Sequence, residues 1–178
     1  MSQSYEIDMC HGPLFGKIIR FSIPLMLSGI LQLLFNAADI IVVGRFVGST
    51  ALAAVGSTSS LINLLINLFI GFSVGANVLV ARFHGAGRDD EVNETVHTAI
   101  TLSMVSGIFL LILGVTVTRT LLIWMGSPDD VLDQSSLYLK IYFLAMPATL
   151  LYNFGSSILR AVGDTKRPLF YLVTAGII

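Results

Sequence analysis

The sequence predicts an all-α protein, a polytopic bundle of membrane-spanning helices, on three observations. Of its 178 residues, 54% are hydrophobic and only 12% are charged, with a mean hydropathy of +0.84, whereas soluble domains carry about 25% charge. Four apolar runs, residues 21–44, 46–81, 95–118 and 141–159, are each bounded by charged residues. Each is long enough for a spanning helix of roughly 20 residues. Between the last three runs lie short segments rich in Gly, Pro, Asp and Ser, residue types that end one helix and start the next.

Residues 1–17 form an N-terminal arm. Its opening, MSQSYEIDMCHGP, is acidic and has no apolar core, so helix 1 is expected to act as its own insertion signal. Helix 1 is predicted over residues 18–43. Pro24 leaves the Arg20 carbonyl without its helical partner, which predicts a bend or a loosened turn near the start of the helix. The second run is longer than one span needs, so residues 46–50 read as a loop and helix 2 is predicted over 51–82. In FHGAGRDDEVNE, Gly85 and Gly87 supply a left-handed stop. Asp89, Asp90, Glu91 and Glu94 then complement the N-terminal dipole of helix 3, predicted over 91–118.

Ser127 is the expected cap of helix 4, with Pro128 at the first helical position and the helix over 130–160. Pro147, flanked by Tyr138, Tyr142, Tyr152 and Asn153, is a second candidate kink. In RAVGDTKRP, Gly163 ends helix 4, Asp164 or Thr165 caps helix 5, and helix 5 starts at residue 167. Residues 168–178 would extend only about 17 Å at 1.5 Å per residue, short of a hydrocarbon core of about 30 Å. The run is therefore expected to continue beyond Ile178, and residues 18–178 to form part of a larger transporter.

Positive charge orients the bundle. Lys17, Arg20, Arg82, Arg88, Arg160, Lys166 and Arg167 fall on one side and Arg45, Arg119 and Lys140 on the other. Seven against three places the N-terminus in the cytoplasm of a multi-pass protein of the cell membrane. The net charge of −1 and the scatter of basic residues over loops exclude a nucleic-acid footprint. One cysteine, Cys10, excludes an intrachain disulfide, and His11, His84 and His97 lack metal-ligand spacing. No HExxH, ExxxR or Ser/His pair lies within the spans, so an intramembrane enzyme is not expected.

Asp39 is the only ionisable residue in the first run. An acid at membrane depth costs roughly 2.5–3.5 kcal/mol, so it faces a cavity or bundle interior and handles ions or substrate. Ser28, Gln32, Asn36 and Asp39 recur at one-turn intervals and share a face of helix 1. Helix 2 has a stripe of its own in Gly56, Ser60, Asn63, Asn67 and Gly71. Two such faces could share a wet cavity, but Gly, Ser and Asn also mark packed helix interfaces. We weight the helix 2 stripe, with Gly71 and Gly75 as GxxxG, towards packing, and Asp39 towards function. Tyr142 and Asn153 of helix 4 are further candidates to line the cavity.

These pieces resemble the N-terminal part of a multidrug and toxic compound extrusion (MATE) transporter. The resemblance is carried by IPLMLSGILQLLFNAADIIVVGR in helix 1, ALAAVG opening helix 2, GANVLVARFHGAGR at its end and LRAVGDTKRP after helix 4, in that order and spacing. It implies twelve helices in two six-helix lobes around a central cleft, of which this chain supplies helices 1–4 and the start of helix 5. It further implies that Asp39 belongs to an N-lobe cation site, to which Asn36 and Gln32 of the same polar stripe are added as candidates, and that a proline at the place of Pro24 accompanies bending of helix 1. The implied function is cation-coupled antiport, driven by H⁺ or Na⁺, that exports drugs or other lipophilic organic cations. No cofactor is implied, and no metal beyond a possible Na⁺ at Asp39. The implied partners are small cationic substrates, membrane lipids and a C-terminal lobe.

Two alternatives stay open in the sequence. A lipid-linked precursor flippase of related architecture would line its cleft with Arg and Lys, which these spans lack. A non-transporting assembly subunit would need no buried acid. A chain of this extent is expected not to transport by itself, because alternating access needs one half to move against another.

Overall fold

The computed structural model describes Ile7, Gly12, residues 14–47 and residues 49–177. Their elements are all helical: α1 (Leu14–Val42), running into a π turn (Val43–Val47), α2 (Ser49–Gly85), α3 (Asp89–Trp124), α4 (Asp129–Ala161) and α5 (Lys166–Ile177). The helices extend beyond their apolar runs, because each run is flanked by polar residues that keep the helical hydrogen bonds in water. The predicted loop over 46–50 is corrected: its described residues belong to the π turn and to the first turn of α2. Leu52 folds back against Gly44, where a Cβ would stand 3.5 Å from the leucine methyl, so the reversal closes with almost no loop.

Segments 14–46, 58–85 and 89–124 are long and apolar enough to cross a membrane. α4 was expected to span as well. At 33 residues it has the length, but Tyr142, Pro147, Tyr152, Asn153, Gly155, Ser156 and Ser157 dilute its apolar run. One side of α4 is packed, with Leu139, Phe143, Met146, Leu150 and Phe154 at most 1% exposed, while Leu137, Ile141 and Leu144 stay 60% or more exposed.

Three turns end their helices in the same way. Gly87, Gly126 and Gly163 adopt φ of 69°, 73° and 87°. In each the residue after the glycine donates its N–H five residues back: Arg88 to Phe83, Ser127 to Leu122 and Asp164 to Leu159, at 3.0, 3.1 and 2.9 Å. This is the 6→1 bond of a Schellman stop, whose left-handed position favours glycine. Gly87 and Gly163 were expected. Gly85 instead remains helical, and Gly126 supplies a stop that the sequence reading assigned no role. Asp164 caps α5: its Oδ1 accepts from the backbone N–H groups of Lys166 and Arg167, both at 3.1 Å.

The chain divides into two compact units. One comprises residues 37–71 and 101–152. Its core joins Ile62, Leu110, Leu122, Leu132, Leu139, Phe143, Met146 and Leu150. α3 meets α4 there along buried Ser103, Gly107, Leu110, Gly114, Thr118 and Leu122, positions three and four apart and hence on one face. A Cβ on Gly107 would lie 2.6 Å from Pro147 Cα, and one on Gly114 would enter the Phe143 ring. The second unit comprises residues 1–36, 72–100 and 153–178. In it α2 and α4 are tied reciprocally: Asn77 Nδ2 donates to the Ser157 carbonyl at 2.6 Å, and Ser157 Oγ donates to the Ser73 carbonyl at 2.8 Å. Gly176 of α5 leaves space for the Phe35 ring of α1.

Candidate functional site

α1 continues through Pro24 as an α-helix. Pro24 and Ser28 are buried, and Ser28 Oγ donates to the Pro24 carbonyl at 2.9 Å. Further along the same face Gln32, Asn36 and Asp39 are exposed. Asn36 Nδ2 donates to the Gln32 carbonyl at 3.3 Å, which fixes the amide along the helix and leaves its oxygen outward. The face thus opens from a buried hydroxyl at one end to a free carboxylate at the other.

Among the described residues the ion pairs are Arg88–Glu91, Arg119–Asp133 at 2.9 Å and Arg167–Asp164 at 3.2 Å. None reaches Asp39. Tyr138 and Tyr142 lie one helical turn apart on α4, in the same compact unit as Asp39. Tyr138 was noted only as a neighbour of Pro147; its i, i+4 spacing to Tyr142 was the signal that could have found it.

The other candidates lie elsewhere. Asp39 is three residues before the end of α1. Asn63 is fourteen residues into α2, roughly 21 Å along its axis, so Asn63 and Asn67 lie far down α2 from the α1–α2 reversal that Asp39 adjoins. Asn67 Nδ2 donates to the Asn63 carbonyl at 2.7 Å, and both residues are exposed. Half-buried Asn153 is eleven residues beyond Tyr142, about 16 Å along α4. Gln32, Asn36 and Asp39 share one exposed face of α1, Tyr138 and Tyr142 lie one turn apart on α4, and Asn63 and Asn67 lie together on α2.

The packing role given to the helix 2 stripe is also corrected within this chain. Gly56, Ser60, Asn63, Asn67 and Gly71 are all exposed, and a Cβ on Gly71 or Gly75 would meet nothing within 4 Å. The close approach uses α3 instead, whose glycines face the bulky Pro147 and Phe143. Among the described residues no three His, Cys, Asp or Glu side chains cluster as metal ligands would.

Three helices of spanning length define the class, a helical membrane protein, whose first helix carries an acid with no ion pair among the described residues. Comparison with known proteins makes it specific. Residues 24–178 match the MatE family model, and the chain belongs to that family of multidrug efflux transporters. It is similar to the probable multidrug resistance protein YoeA of Bacillus subtilis, with 35% identity over 158 residues, covering 89% of this chain and 34% of that protein. It superposes on a crystal structure of MATE in complex with MaL6, with a TM-score of 0.87 and 26% identity, over 97% of this chain and 38% of that one. On MATE in the straight conformation the TM-score is 0.82, at 29% identity, over 88% and 35% of the two chains. The chain thus spans about a third of the length of the proteins it matches.

Proposed function

We propose that this chain is the N-terminal part of a cation-coupled antiporter of the cell membrane, that Asp39 is where its coupling ion binds, and that its substrates are lipophilic organic cations. The supporting observation is the environment of Asp39: exposed on the polar face of α1 that also carries Gln32 and Asn36, with no basic partner among the described residues. Transporter sites form where two repeats meet near the membrane midplane. The open faces of α1 and α2 are the surfaces such a second lobe would leave wet. With the basic side in the cytoplasm, Asp39 lies towards the outside, where H⁺ or Na⁺ enters.

The chemistry is competition for one carboxylate. Dry surroundings favour the neutral acid in general, and a nearby cation favours the ionised one. An arriving H⁺ or Na⁺ and an organic cation therefore exclude each other at the site. Neutralising the acid removes the reason for α1 to keep its polar face wet, which shifts the packing of α1. Gln32 and Asn36 line the path along α1.

The test is export from inverted membrane vesicles by the complete protein carrying Asp39→Asn. The expected result is at least a tenfold loss of ion-driven export, about 1.4 kcal/mol of coupling. Undiminished export with the same ion dependence removes Asp39 from the mechanism.

A further inference from the structure

Three Schellman turns share one geometry, yet their exposure differs. Every residue of the α2–α3 turn, residues 85–90, is exposed, and in the α3–α4 turn Gly126, Pro128, Asp129 and Asp130 are exposed. In the α4–α5 turn Gly163, Asp164, Thr165 and Pro168 are buried, with Asp164 at 0% and Thr165 at 2% exposure. A helix end with a carboxylate and a hydroxyl normally stays in water, because desolvating polar groups is costly. Something holds this one covered.

The turn is met by Ile7. Its N–H donates to the Gly163 carbonyl at 3.3 Å, and a Cβ on Gly163 would stand 2.5 Å from the Ile7 carbonyl oxygen and 3.1 Å from its nitrogen. Gly163 is thus constrained twice, by its φ of 87° and by the approach of Ile7. Ile7 precedes the first residue of α1 by seven positions. Glu6 and Asp8 flank it in sequence, while Arg160, Lys166 and Arg167 surround the turn in sequence, so the two segments carry opposite charge.

We propose that Ile7 acts as a strap on the α4–α5 turn: its backbone contact at Gly163 keeps Asp164 and Thr165 shielded. The strap goes beyond the export reading and does not depend on it. Loss of that contact wets the cap of α5.

The experiment is cysteine labelling of the full-length protein in detergent-permeabilised vesicles, with Cys10→Ser as background and Thr165→Cys as reporter. With the arm intact, a polar maleimide should modify residue 165 at least about tenfold more slowly than a cysteine placed at exposed Arg88, since labelling requires local opening. Ile7→Pro removes the donating N–H, and deletion of residues 2–11 removes the strap itself. Each should bring the rate at residue 165 to within about threefold of that at residue 88. An unchanged slow rate in both variants overturns the proposal, because helix packing alone would then cover the turn. Labelling at Arg88→Cys that stays constant across the variants checks that the bundle remains folded. This readout needs no transport, so its failure is distinct from that of Asp39→Asn.

Discussion

The α3–α4 seam and the outer faces of α1 and α2 use the same small and polar residue types to opposite ends. On α3, Gly107 and Gly114 admit Pro147 and Phe143 so closely that no side chain fits between, and Ser103 and Thr118 beside them are fully buried. On α2, Gly56, Gly71 and Gly75 have nothing within 4 Å of where a Cβ would be, and Asn63 and Asn67 are exposed. The type of residue does not decide whether a helix face is shut or open. The partner does: a bulky residue on the facing helix turns a glycine into a packing site, and its absence leaves a polar surface for water or cargo.

Four substitutions can break or sharpen that contrast. Gly107→Leu should have the largest effect, because its side chain would drive into the Pro147 backbone; we expect a loss of 3 kcal/mol or more, at or beyond the upper end of the usual ~1–3 kcal/mol for overpacking. Loss of the monodisperse peak on size exclusion, or a fall in thermal midpoint, reads it out. Asp39→Asn should come next, with the tenfold loss of ion-driven export given above and an unchanged thermal midpoint, since the carboxylate makes no ion pair among the described residues. A fall in the midpoint would mark Asp39 as structural.

Ser157→Ala removes the hydroxyl that bonds the Ser73 carbonyl. Hydrogen bonds between membrane helices average about 0.6 kcal/mol, so a destabilisation of roughly that size is expected in a reversible unfolding titration. Gly71→Ala should be smallest, within about 0.5 kcal/mol, because the added methyl enters open space. A loss comparable to that at Gly107 would mean that the α2 face packs against something, and would erase the distinction between the two regions.

How much of this was legible in the sequence follows from which signals are local. The helices came from apolar runs, and their stops at Gly87 and Gly163 came from glycine followed by helix-starting acids or by Asp164. Asp39 was legible because an acid in an apolar run is conspicuous whatever surrounds it. The seam was not, since Ser103, Gly107, Gly114 and Thr118 become an interface only once Pro147 and Phe143 face them. The strap at Ile7 has no periodicity to announce it, and residues 46–50 read as a loop because Phe, Val, Gly, Ser and Thr follow a charge, whereas Phe46 and Val47 complete a π turn.

The π turn that ends α1 begins four residues after Asp39. A π turn is an α-helix that has taken in one surplus residue, and such insertions recur at working sites. The helix end next to the acid is thus wound one residue wider than the rest of α1.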